Sequence, residues 1–488
     1  MTQRRDFIKK SMLGSAGIAI GGMGFSAKSY ASILGSNDRF RMAVCGVNGR
    51  GKSHINGFGG IDNVEIAYLV EPDSHVLEAR IAELRGKGGL SSNVKGVADV
   101  RRVLDDKDID AISVATPNSW HSQMVIWAAQ SKKHCYVEKP ASHDIYEGRV
   151  ALAAAEKYGI VVQHGTQRRS EPGWARQVSD IRSGKYGKMV VSHGFACKPR
   201  EGIGFETNSN PPDYLDWNLW KGPAVIDSYN KNLVHYNWHW NWAVGNGELN
   251  NQGTHQLDVA YWALDAEVEN THPVRVMAIG GRFVWEDQGE TPNTMFALAQ
   301  FKNGQYVFFN VRNVNYDGYV KEVTNRFYFE DGGKLDEGEY ISHNGSQPRN
   351  VPITDVRQTP GGNWGSFITA CRANDAKMAN GNMYDAHYSC ALGHLMNTSY
   401  RLGEKVPFNE KAGKFGDNAL AYEEFMKIHA IARDGMGVPE NKAEYVVGPW
   451  LEFDGDAEHF VGEHSREANR LIEDPRNSGY YLPSPKSV

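Results

Sequence analysis

A chain of 488 residues with a formal net charge of −5 offers no basic face, which argues against a nucleic-acid partner. A hydrophobic content of 41% is enough for a large core shared by two or three domains. Five cysteines, an odd number without metal-ligand spacing, argue against a disulfide framework; Cys45 and Cys135 fall in apolar runs and read as small core residues.

In chain order, Arg4-Arg5-Asp6-Phe7-Ile8-Lys9 is a twin-arginine pattern. A Gly- and Ala-rich run from Ser11 to Ala27 follows, and Ser29-Tyr30-Ala31 offers a small-residue cleavage site. Residues 1–31 are therefore expected to be an export signal rather than a membrane span, since the run is short and rich in glycine. The twin-arginine route carries folded proteins, so a protein that receives its cofactor in the cytoplasm and works in the periplasm is expected.

Residues 38–168 read as a nucleotide-binding domain. Five apolar runs, Arg41–Gly46, Asn63–Val70, Ile109–Ala115, His134–Val137 and Ile160–Gln163, alternate with helical segments at Ser74–Leu84, Val97–Leu104, His121–Ala129 and Ile145–Tyr158. Strands alternating with helices predict an α/β fold with a parallel sheet covered on both faces, and ligands at the carboxyl ends of its strands. The turn after the first run is Gly46-Val47-Asn48-Gly49-Arg50-Gly51. Backbone N–H groups there, with a helix N-terminus behind them, suit a pyrophosphate. Asn48 stands at the second glycine position, and asparagine tolerates positive φ better than most residues. Glu71 ends the second run and suits the ribose hydroxyls of NAD while repelling a 2′-phosphate; Asp73 is a fallback for that role. NAD is the expected cofactor.

Beyond residue 170 the texture changes. Met189–Cys197, Arg275–Val284, Thr294–Phe301, Tyr306–Asn313 and Arg326–Glu330 alternate in character and predict an open, mostly antiparallel sheet within a second α/β domain, residues 169–385. Gly365–Arg372 and Ala386–Arg401 read as helices. Residues 386–488 are expected to supply helices and a polar, loop-like tail that pack back on both domains. No internal repeat is present. Six of the twelve tryptophans lie between residues 214 and 262, a density that suits either a sugar's C–H faces or a buried aromatic segment. His235 and His239 lack an acidic or cysteine partner at ligand spacing, so no metal is expected.

Gly46–Gly51, Ala115-Thr116-Pro117-Asn118 with His121, Glu138-Lys139-Pro140 and Gln252-Gly253-Thr254-His255-Gln256-Leu257-Asp258 together resemble the glucose–fructose oxidoreductase / inositol dehydrogenase / MocA (Gfo/Idh/MocA) family, over roughly residues 39–430. The resemblance implies a Rossmann domain followed by an α/β domain whose open sheet covers the active site and forms a homo-oligomer. It implies oxidation or reduction of a ring hydroxyl of a sugar or cyclitol. It matches Lys139 to the active-site lysine, His255 to the histidine that exchanges the hydroxyl proton, and Thr116, Pro117 and Asn118 to the loop under the nicotinamide ribose. Pro140 then helps set the turn beside the cofactor. In the nucleotide site Gly46, Asn48, Gly49, Arg50, Gly51, Glu71, His121, Glu138 and Lys139 are expected.

The family pattern often has aspartate four residues before the histidine, where this chain has Asn251. An amide can orient a hydroxyl but cannot carry its proton. Asp258, on the same helical face as His255, is a candidate partner for it. Gln167, Arg168, Trp238, Trp240, Asn251 and His255 are the expected substrate contacts. The expected function is an NAD-dependent oxidoreductase acting on a sugar, cyclitol or glycoside. The alternatives are a redox-neutral glycoside hydrolase or epimerase working through a transient keto-sugar, and a non-catalytic sugar or nucleotide sensor.

Overall fold

The computed structural model describes residues 39–488; the twin-arginine pattern lies outside them. The nucleotide half is a parallel sheet of six strands: β1 (Phe40–Cys45), β2 (Val64–Val70), β3 (Lys95–Val97), β4 (Ala111–Val114), β5 (His134–Val137) and β6 (Val162–His164). Their spatial order is β3-β2-β1-β4-β5-β6. This is the doubly wound order in which the chain reverses direction between β1 and β4, opening a crevice at their carboxyl ends. The strands are continuous apolar runs because both faces are covered: Ala43, Val44, Ile112, Val114, Cys135 and Val137 are all fully buried. The covering helices include α1 (Gly51–Gly59), α2 (Ser74–Lys87), α3 (His121–Gln130) and α4 (Ile145–Tyr158). Asp73 and Asp144 cap α2 and α4 by accepting from the N–H of Val76 and Glu147. Strand β3 occupies part of the segment whose pattern predicts a helix from Val97. Three residues are too few for a period-2 signal, and the helix there is confined to Arg101–Leu104.

The second half is built on β7 (Met189–Arg200). Strands β8 (Asn208–Ser209) and β9 (Tyr229–Asn230) pair apart from the main sheet. The main sheet continues with β10 (Arg275–Gly281), β11 (Thr294–Gln300), β12 (Tyr306–Val314), β13 (Asn325–Phe329), β14 (Lys334–Asp336), β15 (Glu339–Ile341), β16 (Glu404–Pro407) and β17 (Glu444–Val447). Its order is β15-β14-β13-β7-β12-β11-β10-β17-β16, and β18 (Leu451–Asp454) and β19 (His459–Val461) extend from β10. Within this sheet, among the described residues, only β7 and β12 pair in parallel. The tail expected to be loop-like thus contributes three strands. Strand β18 alternates Leu451 and Phe453 inward with Glu452 and Asp454 outward, but each of the three is too short to stand out in the sequence.

The central sheet has two apolar faces, and this chain covers both. On one face Val276, Ala278, Met295, Ala297, Val307 and Phe309 pack against α5 (Gly253–Trp262) and α7 (Met383–Arg401), which encloses α6 (Gly362–Ala373) in sequence between them. On the other, Met277, Ile279, Phe296, Leu298 and Phe308 pack against Phe408, Phe415 and α8 (Ala419–Ala430), which inserts Phe425 and Ile428. The expected large, mostly antiparallel sheet follows the Rossmann half, and residues of this chain pack on both of its faces. An apolar face of that size is unstable in water, and here the chain's own residues 408–438 shield it. Helix α7 also reaches the nucleotide half, where Met383, Ala386 and Cys390 join the core together with Leu482 and Val488. All five cysteines are buried and free. Among the described residues no helix is long and apolar enough to cross a membrane.

Candidate active site

A cleft of about 480 Å³ opens at the carboxyl ends of β1 and β4 and runs to the N-terminal end of α5. Gly46 leaves β1 with φ +77°, and a Cβ there would sit 2.6 Å from the carbonyl oxygen of Ala115. Gly51 is tighter still, since its Cβ would fall 1.9 Å from the Gly46 carbonyl oxygen. These two glycines let β1, the turn and α1 close on one another. Gly49 meets nothing within 4 Å, so its side is open to a ligand. Gly51→Ala forces backbone against backbone and should cost about 3 kcal/mol or more together with NAD binding. Gly49→Ala should leave the melting temperature nearly unchanged, and paired thermal denaturation curves of the two variants check this.

Glu71 ties the turn to β2. Its Oε2 accepts from the Val47 N–H at 3.0 Å and its Oε1 from the Asp73 N–H at 3.3 Å. Burial pushes its carboxyl up to about 7 against those two bonds. Asp73 does not serve as the fallback: one carboxylate oxygen caps α2 and the other lies 3.0 Å from His235 Nε2. Thr116, Pro117 and Asn118 line the cleft, and the Asn118 amide donates to Asn246 Oδ1 at 2.9 Å. The His121 ring lies between the carbonyl oxygens of Pro140, 2.6 Å from Nδ1, and Thr116, 2.9 Å from Nε2, and so joins that loop to the turn after β5. Gly51 and Pro140 support the cleft without lining it.

Glu138 is a buried carboxylate at the end of β5. Burial raises its pKa, but the His54 ring and the Arg50 guanidinium, 3.1 and 2.7 Å from Oε1, hold it well below the usual carboxylate range. Lys139 comes next, is joined to Pro140 by a cis peptide bond and is half-buried. Its Nζ donates to the Asn251 carbonyl oxygen at 2.6 Å and reaches Asn251 Oδ1 at 3.4 Å. Burial lowers its pKa below that of a free lysine, while Glu138 and Glu248 act in the other direction.

His255, on the first turn of α5, lines the same cleft; burial first, and then the nearby Lys139 charge, pushes its pKa well down. No hydrogen bond of the described residues fixes its ring. Asp258 is not its partner. The Asp258 carboxylate accepts from Arg169 Nε at 2.8 and 3.0 Å, and Arg169 also pairs with Asp385. One helical turn places His255 and Asp258 near each other in sequence, but the packing of α5 turns Asp258 toward α7 and His255 toward the cleft.

Among the expected substrate contacts, Gln167, Trp238, Asn251 and His255 line the cleft. Arg168 does not: it bonds Asn325 Oδ1 and the Val323 carbonyl oxygen and stacks on Trp174. Trp240 does not either, being buried under the Arg200 guanidinium. The aromatic segment is largely a small core of its own, with Leu215, Trp217, Trp220, Leu233, Trp238 and Val244 packed together. Tyr236 and His239, both within the aromatic stretch, also line the cleft, as does Lys198, to which the sequence did not point. Lys198 lies on β7, and only the sheet's position brings it there.

One cluster with ligand-type side chains lies away from the cleft, at His272, His387 and Glu458. Both ring Nε2 atoms are 2.8 Å from Glu458 Oε1, and Arg149 Nε donates to Oε2 at 2.9 Å. These donors satisfy the carboxylate, so the cluster is explained as a hydrogen-bonded ion network.

Residues 40–166 match the family model described as "Oxidoreductase family, NAD-binding Rossmann fold", and residues 224–333 match the "GFO/IDH/MocA C-terminal domain". The chain is 30% identical over 156 residues to a scyllo-inositol 2-dehydrogenase (NAD(+)) of Bacillus subtilis, covering 32% of this chain and 44% of that protein. It is 28% identical over 286 residues to a myo-inositol 2-dehydrogenase of Thermotoga maritima, covering 58% of this chain and 71% of that protein. The match thus spans less than half the length of the Bacillus relative. In fold it is similar to the WlbA dehydrogenase of Bordetella pertussis solved with NADH and UDP-GlcNAcA. That likeness has a TM-score of 0.54 at 17% identity, over 74% of this chain and 97% of the other.

Proposed function

We propose that the chain, whose residues 40–166 and 224–333 match models of the Gfo/Idh/MocA family, is an NAD-binding oxidoreductase that oxidises or reduces a ring hydroxyl of a sugar, cyclitol or glycoside. The observation that carries this reading is that Lys139 and His255 line the same cleft as the glycine turn and Glu71. The groups present fit NAD. Glycines stand where a Cβ would close the turn, Glu71 ends β2 without a basic neighbour in its place, and the Thr116–Asn118 loop runs along the cleft. When bound there, NAD supplies the acceptor or donor for the hydride.

The protein's own groups handle the proton and the charge. His255 is neutral at neutral pH because burial and Lys139 disfavour the imidazolium, so its ring is free to take a hydroxyl proton. The Lys139 ammonium, fixed by the Asn251 carbonyl, stabilises the alkoxide that develops as that proton leaves. Asn251 orients the lysine and takes no proton. Trp238 and Gln167 offer an apolar face and an amide to a polyol.

The Arg4-Arg5 pattern supports export of the folded protein to the periplasm, with NAD held through the cycle instead of exchanged. Hydride removed from one substrate then returns within the same site, either to a second carbohydrate or to the same sugar after an elimination or inversion. Purifying the mature protein without added nucleotide, denaturing it and identifying the released small molecule by mass spectrometry tests the reading. NAD or NADH near one per chain is expected, and carbohydrates are then screened by nicotinamide absorbance. A protein that is empty and does not bind added NAD would overturn the reading; one that turns over only with added NAD would overturn the closed cycle.

A further inference from the structure

Glu248 lies on the short helix Gly247–Asn250, just before Asn251, and its side chain is fully buried. It does not line the cleft. Burying a carboxylate is costly unless it is paired and hydrogen-bonded, and both of its oxygens are engaged. Oε1 accepts from Arg200 Nη2 at 2.9 Å. Oε2 accepts from Asn251 Nδ2 at 3.1 Å. The opposite end of the same amide, Oδ1, faces Lys139 Nζ at 3.4 Å, and the Asn251 carbonyl oxygen receives the Nζ hydrogen bond at 2.6 Å. A line of contacts therefore runs from Arg200 through Glu248 and Asn251 to Lys139.

An amide with its N–H₂ held by a carboxylate has its carbonyl end oriented in one direction only, since the two ends cannot be exchanged without placing an acceptor against an acceptor. Glu248 thus fixes which face Asn251 presents to Lys139, and its negative charge sits one residue's side chain away from the lysine. We propose that Glu248 is a positioning residue for Lys139, which acts through Asn251 to hold the ammonium in place and in its charged form. This rests on the reading of Lys139 as the cationic group of the site.

The charged groups facing Lys139 are Glu138, Glu248, Arg50 and Arg200; the surrounding His121, His164, His239 and His255 are all shifted toward the neutral form by burial. Glu248 faces Arg200 and Lys139, with Lys198 nearby. Glu138 is held by Arg50 and His54, so Glu248 is the carboxylate whose removal alters the balance at Lys139 without disturbing the nucleotide turn.

The test reads Lys139 itself and needs no turnover, so it stands apart from the identity of the substrate. The full chain is labelled with trace acetic anhydride across a pH series, and the acetylation of Lys139 is followed by mass spectrometry. Glu248→Gln is expected to lower the midpoint of Lys139 labelling by about one pH unit, because an opposite charge near a lysine favours its protonated form. Moving the carboxylate by one side chain, in Glu248→Gln/Asn251→Asp, is expected to restore it. Should Glu248→Gln fold poorly, Arg200→Gln is compared with Arg200→Gln/Glu248→Gln, in which the buried pair is uncharged. The same downward shift is expected between those two. A midpoint that coincides with and without Glu248, in either background, overturns the proposal.

Discussion

Lys139→Ala is expected to keep its NAD and lose turnover by about 10³-fold or more, with little change in the melting temperature. The expectation follows from where the ammonium sits. Lys139 is half-buried at the cleft wall, held by the Asn251 carbonyl, and its loss leaves no cavity in either apolar core. What disappears is a fixed positive charge beside the hydroxyl that is to lose its proton, and a preorganised charge of that kind is worth roughly 10²–10³ in rate. His255 then faces a more acidic task without assistance, and the removal of general acid–base help adds a comparable factor. The turn of Gly46–Gly51 and Glu71 is untouched, so the nucleotide stays. The measurement is kcat and KM on the carbohydrate found in the absorbance screen, together with nucleotide released per chain. A variant that keeps full turnover would remove Lys139 from the mechanism. A variant that keeps a ligand response, from a parent that never turns over, would favour the sensor reading.

Acidification is expected to unfold the protein well above the pH at which carboxylates titrate. His164, His193, His387 and His394 are buried, and burial pushes them down to about 3, 4, 4 and 3. The unfolded chain protonates each near 6.5, while the native state resists until pH 4 or below. Below pH 6.5 the unfolded state therefore binds more protons, and stability falls as pH falls. His54, His121 and His255 are shifted the same way. Glu248, Asp258 and Asp144 are shifted upward by burial and act in the opposite direction. Glu71, raised to about 7, binds one proton in the native state and subtracts from the four. His143 is raised to about 8 by Asp474 despite its burial; its contribution is fully present below 6.5 and is lost only as pH rises through 8. The four histidines less Glu71 amount to about three protons between pH 6 and 4.5, which corresponds to about 4 kcal/mol per pH unit, on the order of the whole stability of a domain. Urea midpoints at pH 7, 6 and 5 check it, and midpoints that stay level would show that these histidines are not neutral in the native protein.

The parallel half and its cofactor turn are legible in the residues alone. Continuous apolar runs separated by helical segments have one economical packing, a sheet covered on both faces, and α4 at Ile145–Tyr158 and β5 at His134–Val137 occupy the predicted residues. Lys139 and His255 were legible because the local motif around each is distinctive. Which groups meet depends on the packing of distant elements. Asp258 and His255 are three residues apart, yet α5 commits the first to Arg169 and opens the second to the cleft. Trp238 and Trp240 are two residues apart, and one lines the cleft while the other is buried beside Arg200. Glu248 gave no signal at all, because a carboxylate in a four-residue helix reads as a solvated surface residue until Arg200, from β7, arrives to pair with it. The second face of the sheet is covered by Phe408, Phe415 and Phe425, which lie about a hundred residues or more downstream in sequence from the strands they cover. Local periodicity states which face of an element is apolar. It does not state what covers that face, since the covering contact depends on the path of the whole chain, and side-chain direction within a site is fixed only when that path is complete.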